Sequence, residues 1–166
     1  MKSHACQSVP APTLVRCASE TDFAEAVALT RAYLDWIGLD LSFQDIDREL
    51  AGFAAMYSPP RGCFFLVHVG DVVAGGAGLR PFSEGICEMK RLFLPDRFRG
   101  LGLGRLLCLR LIEEARAMGY ERMRLDTLAR MQAARQLYED LGFSEIEAYR
   151  YNPDPEARYM ELRLTP

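Results

Sequence analysis

The chain has 166 residues, 49% of them hydrophobic, and a net charge of −3, which is the size and composition of one globular domain with a sizeable core. No apolar run approaches the ~20 residues of a membrane span, and the acidic balance excludes a general nucleic-acid binder, whose phosphate contacts require a basic face. The cysteines Cys6, Cys17, Cys63, Cys87 and Cys108 are scattered without a Cys-x-x-Cys pair, which argues against disulfides and zinc. His4 and His68 are the only histidines, too few for a typical catalytic metal, and neither offers a convincing Ser-His-Asp or Cys-His triad.

Residues 1–12, with Pro10 and Pro12 and no periodicity, read as a flexible leader, and residues 13–166 as a single domain. The start lacks an apolar segment of the secretory type, so the expected location is cytoplasmic. Leu14 to Ala18 reads as a first strand, and Ser19 or Thr21 is placed to cap a helix with Phe23, Val27, Tyr33, Leu34 and Ile37 on its apolar side. A second helix opens at Asp45 and runs towards the Ser58-Pro59-Pro60-Arg61-Gly62 break. Cys63 to Val69 and Val72 to Arg80 form a hairpin about Gly70-Asp71, with His68 expected to face solvent, and Ile86 to Leu94 is the next strand. A long helix from Leu103 to Met118 stops at Gly119, a strand covers Arg122 to Thr127, and a helix runs from Met131 to Leu141 before Gly142. Glu145 to Tyr151 and Arg158 to Leu164 read as terminal strands.

The stretch Arg99-Gly100-Leu101-Gly102-Leu103-Gly104 sits between a strand and an amphipathic helix. Glycines at such a turn let the backbone approach a diphosphate, and the unpaired amides of the first helical turn donate to its oxygens. The loop is no Walker A sequence, because Gly-Leu-Gly stands where Gly-Lys-Ser or Gly-Lys-Thr would be needed. Lys90, Arg91, Arg97, Arg99 and Arg105 add positive charge near it in sequence, which suits an anionic cofactor or a solvated basic face.

The pattern Arg-x-x-Gly-x-Gly after Leu-Phe-Leu-Pro resembles motif A of the GNAT superfamily of CoA-dependent N-acyltransferases. Ala134-Arg135-Gln136-Leu137-Tyr138-Glu139-Asp140-Leu141-Gly142-Phe143 resembles the family's motif B. The resemblance covers residues 72–143 and implies an α/β (α+β) fold, a mixed twisted sheet of about seven strands flanked by about four helices. It also implies acetyl-CoA as co-substrate, no metal, and a primary amine of a small molecule or peptide as acceptor, attacked directly in a ternary complex.

Carried over residue by residue, the resemblance gives the pyrophosphate to Arg99, Gly100, Leu101, Gly102, Leu103, Gly104 and Arg105. The pantetheine arm falls to the backbone of Leu92, Phe93 and Leu94, and Ala134 adds a further cofactor contact. Glu88, eleven residues before Arg99, matches the catalytic glutamate of the histone acetyltransferase branch and is the candidate base; the alternative is a strand carboxylate paired with a nearby arginine. Tyr138 matches the tyrosine that protonates the CoA sulfur, the alternative being an aromatic packed on the sheet. The family's frequent asparagine seven positions before Tyr138 is Met131 here, with Gln132 beside it.

The acceptor region falls on residues 30–53, where Asp35, Asp40, Asp45, Asp47 and Glu49 form an acidic run, and on residues 149–159 with Tyr149, Tyr151 and Tyr159. The acidic run suits a cationic amine or is an ordinary solvated helix face. A non-catalytic acyl-CoA sensor and an unrelated nucleotide-binding module are the other readings of the glycine loop. A spare sheet edge permits a homodimer.

Overall fold

The computed structural model describes residues 10–40 and 45–165. Seven strands form one sheet: β1 (Pro12–Arg16), β2 (Cys63–Val69), β3 (Val72–Ser83), β4 (Ile86–Phe93), β5 (Arg122–Thr127), β6 (Ser144–Ile146) and β7 (Arg158–Arg163). The spatial order is β1-β2-β3-β4-β5-β7-β6. Every pairing is antiparallel except β4 with β5. Five helices accompany the sheet: α1 (Glu20–Ile37), α2 (Ile46–Ala51), α3 (Phe53–Met56), α4 (Leu103–Ala117) and α5 (Gln132–Asp140). Of the expected leader only residues 10–12 are described, and Pro12 already pairs with Val69 in the sheet. Residues 41–44 of the expected acceptor region also lie outside the described residues.

Alternation along the strands divides the interior into two layers. Cys87 and Met89 of β4, Met123 and Leu125 of β5, and Phe65 of β2 meet Leu107, Leu111 and Tyr138 from α4 and α5. On the opposite face Phe64, Leu66 and Phe93 meet Ala26 and Leu29 of α1 and Phe53 of α3. Ser19 caps α1: its hydroxyl accepts from the Asp22 amide at 3.1 Å while the Asp22 carboxylate accepts from the Ser19 amide at 2.9 Å, a reciprocal arrangement that contributes about 1 kcal/mol.

Three expectations change. The segment expected as one helix after Asp45 is two short ones, α2 and α3, divided at Gly52. The strand expected to reach Tyr151 stops at Ile146, because the following side chains turn inward: Tyr149 and Arg150 reach Glu88, and Asn152 reaches Asp126. His68 is half-buried rather than solvent-facing, with Nε2 3.3 Å from Glu25.

Candidate active site

The site begins where the sheet comes apart. β4 and β5 are registered over three residue pairs only, Ile86 with Arg122, Cys87 with Met123 and Glu88 with Arg124. Beyond Glu88 the strands diverge. β4 carries a bulge there: the β3 register steps from Gly78 opposite Lys90 to Gly76 opposite Phe93, and Arg91 adopts φ 61°. A non-glycine residue in that region costs roughly 1–2 kcal/mol. An ion pair holds it: the Arg91 guanidinium donates to the Glu49 carboxylate at 2.6 and 2.9 Å, and the Tyr57 hydroxyl donates to the same carboxylate at 2.7 Å. Burial alone would raise the Glu49 pKa, but Arg91, Tyr57 and Arg80 hold it at about 2.

A cavity of about 440 Å³ opens into the divergence. Of the residues assigned to the cofactor from sequence, Leu92, Phe93, Leu94, Arg99, Gly100, Gly102, Leu103, Gly104, Arg105 and Ala134 line it, whereas Leu101 does not and is exposed. Gly100 and Gly102 take φ 76° and 77°, a conformation glycine adopts without strain. Gly102 caps α4 with no side-chain bond to the first turn, so the amides of residues 103–105 have no partner within the helix and point to its N-terminal end. Such an end is a binding site for an anion. Arg99 is tethered beside it, donating from Nε to the Leu94 carbonyl at 3.0 Å, pairing with Asp96 at 2.8 Å, and stacking 4.7 Å over Trp36. Met131 and Gln132 also face the cavity.

Tyr138 lines the same space from α5, and burial keeps its hydroxyl pKa well above the ordinary value. Across from it, Lys90 of β4 and Asp126 of β5 face each other with 3.5 Å between Nζ and Oδ1, both nearly inaccessible. Burial pulls the Lys90 pKa down to about 8, partly countered by Asp126. For Asp126 burial acts upward, but Lys90, Arg150 and the Asn152 amide, which donates at 3.2 Å, bring it below the usual carboxylate range.

Glu88 lies apart from this cavity. It is fully buried and belongs to the wall of a second cavity, of about 460 Å³, between the α3–β2 connection and the β3–β4 hairpin. Its carboxylate accepts from Arg80 at 3.0 and 3.2 Å and from the Tyr149 hydroxyl at 2.8 Å, and it forms an ion pair with Arg150 at 2.7 Å. Lys90 and Arg91 line the cavity together with the glycine loop, and each also forms a buried ion pair. Glu49, expected on a solvated helix face, is buried and pairs with Arg91. Sequence reasoning missed Asp126, Arg80, Arg150 and Asn152 because each acquires its role from partners distant in the chain. Among the described residues no group of acids, histidines and cysteines has a metal-holding arrangement, and no helix is long and apolar enough to cross a membrane.

Residues 26–143 match the model of the Acetyltransferase (GNAT) family. An uncharacterised N-acetyltransferase of Schizosaccharomyces pombe is 38% identical over 146 residues, spanning 87% of this chain and 90% of that one. A GNAT-family acetyltransferase from Staphylococcus aureus superimposes with a TM-score of 0.77 at 18% identity, over 93% of this chain and all of its own. A Salmonella typhimurium structure solved with its cofactor acetyl-CoA gives a TM-score of 0.70 at 24% identity, over 93% of this chain and 95% of its own.

Proposed function

The chain belongs to the GNAT acetyltransferase family, and from that premise we propose that it moves an acetyl group from acetyl-CoA to the primary amine of a small molecule or peptide, by direct attack within a ternary complex. One observation carries the reading: a single cavity between the diverging strands connects an uncapped helix N-terminus to a buried, titratable pair, with Tyr138 on its wall.

The residues present fit the cofactor. Amides of residues 103–105, with Arg99 and Arg105 beside them, are disposed to bind its pyrophosphate, and the inner edge of β4 at Leu92 and Phe93, beyond its last pair with β5, with Leu94 following, offers main-chain groups to its extended arm as a strand would. When bound, it supplies an acetyl group already activated as a thioester. The Tyr138 hydroxyl, kept protonated by burial, is the proton donor to the departing sulfur. For Glu88 we assign a positioning role: with three hydrogen bonds and an ion pair on its carboxylate, it fixes Arg80 and Arg150 in place. We further assign the enzyme to the cytoplasm.

Calorimetric titration of acetyl-CoA into the wild type and Gly102→Glu, followed by CoA release with an amine panel, tests the proposal. Binding at about micromolar strength, lost in the variant, with release for at least one amine is the expected result. A folded wild type that binds no acetyl-CoA would refute it.

A further inference from the structure

The charge usage of this chain singles out one position. Of its 20 basic residues, 18 are arginine, and the lysines are Lys2 and Lys90 alone. Arginine keeps its proton under all ordinary conditions, whereas a buried lysine gives it up readily. The buried salt bridges on the face opposite α4 are served by arginines: Arg91 on Glu49, Arg80 on Glu49 and Glu88, Arg150 on Glu88. At the point where the β4–β5 ladder ends, lysine takes over, and its ammonium faces a carboxylate across the gap between the strands.

Resting on the acetyl-transfer reading above, we propose that Lys90 is the general base that accepts the proton of the incoming ammonium, and that Asp126 is the positioning residue that holds Nζ towards the cavity. Three observations on geometry support it. Lys90 and Asp126 both line the cavity that holds Tyr138 and the glycine loop, whereas Glu88 lines the other one. The pair bridges the two strands beyond their last registered residues, Glu88 and Arg124. Asn152 pins the second Asp126 oxygen at 3.2 Å, leaving the first for Lys90.

The charged groups around Nζ agree with this role. Asp126 on β5 and Glu88 on its own strand favour the ammonium; Arg91 on β4 and Arg150 from the segment before β7 oppose it, and burial is the largest influence. Tyr33 of α1 and Tyr138 of α5 close the cavity without adding charge, since burial keeps both phenols protonated. The outcome is a lysine that ionises at about pH 8, near the operating range in which a general base is most effective.

The step balances. The acceptor's ammonium passes one proton to neutral Nζ, and the freed nitrogen lone pair forms the N–C bond to the acetyl carbon as the C–S bond breaks with its electron pair on sulfur. The sulfur takes the Tyr138 proton, and the phenol is restored by the second proton of the nitrogen. Lys90 then returns its proton to solvent, so one proton is released for each amide formed.

Trace acetylation of the wild-type protein with acetic anhydride, read at Lys90 by mass spectrometry across neutral to alkaline pH, reports its ionisation directly. Reactivity rising through about pH 8 is expected; reactivity rising only in the ordinary lysine range, above 10, overturns the assignment. In parallel, CoA release is followed with methylamine, spermidine, the common amino acids and an alanyl tripeptide. The expected kcat/KM rises through about pH 8 for amines of differing basicity, and Lys90→Met lowers kcat by about 10²–10⁴-fold while acetyl-CoA affinity stays within about threefold. A Lys90→Met enzyme that keeps the wild-type rate and pH limb overturns the base assignment and leaves acetyl transfer standing. Wild type that releases no CoA with any panel amine overturns both.

Discussion

Replacing Glu49 by glutamine removes one negative charge and little volume, and the structure sets the expected loss. The Arg91 guanidinium and the Glu49 carboxylate are each 2% exposed, so the variant leaves a buried cation without its counter-charge. Breaking a buried pair from one side costs about 3–5 kcal/mol. The ionisation of Glu49 leads to a similar figure: the interval between its ordinary 4.5 and about 2 in the fold corresponds to about 3 kcal/mol. The sign follows from the direction. Because the folded value is depressed, this stability is fully present above about pH 4.5 and is lost as pH falls through about 2. Urea denaturation of wild type and Glu49→Gln at neutral pH, repeated at about pH 3, is the assay. A difference of about 3 kcal/mol at neutral pH, with roughly 2 kcal/mol of it gone by pH 3, is expected. A variant that loses under about 1 kcal/mol, or loses the same amount at both pH values, would refute the view that the pair secures the β4 bulge.

Gly102→Glu places a side chain at φ 77° and a carboxylate beside the uncapped amides, so acetyl-CoA affinity should fall by about 100-fold or more in calorimetry. Tyr138→Phe should lower kcat by about 10–100-fold with acetyl-CoA binding nearly unchanged, which pre-steady-state and equilibrium measurements together would show. A methyl group at Gly78 would lie 2.6 Å from the Tyr57 ring and 2.7 Å from that of Phe64; Gly78→Ala should therefore cost about 1–3 kcal/mol in thermal unfolding. Asp126→Asn removes the charge that favours the Lys90 ammonium, so the alkaline-rising limb of kcat/KM should move to lower pH. A limb that moved upward would contradict the electrostatics described here.

The parts of this protein legible in its sequence are those encoded by neighbours in the chain. Arg99 to Gly104 announces a glycine turn that opens a helix because glycine conformation and helix start are both local, and Ser19 with Asp22 marks the start of α1 for the same reason. The order of strands and helices follows from periodicities that each element carries within itself. The charge network does not, since Glu49 finds Arg91 across 42 positions and Tyr149 finds Glu88 across 61. An acidic run such as Asp45, Asp47 and Glu49 looks solvated until α2 turns one member inward. The same long-range pull explains the missing strand at residues 147–151: alternation there is real, but Tyr149 and Arg150 are drawn to Glu88 rather than to a ladder with β7.

Ending the β4–β5 ladder after three pairs leaves something unusual in the middle of a sheet, namely two strand edges that face each other without meeting. Free edges ordinarily invite other polypeptides to add on, with aggregation as the hazard. Here Tyr33 and Trp36 of α1 stand over one side of the opening and Ala134, Leu137 and Tyr138 of α5 over the other. Both edges therefore open into the cavity and not onto the outer rim of the sheet, which β1 and β6 form. The fold thus keeps a stretch of open strand edge within the molecule, flanked by helices rather than presented at the rim of the sheet.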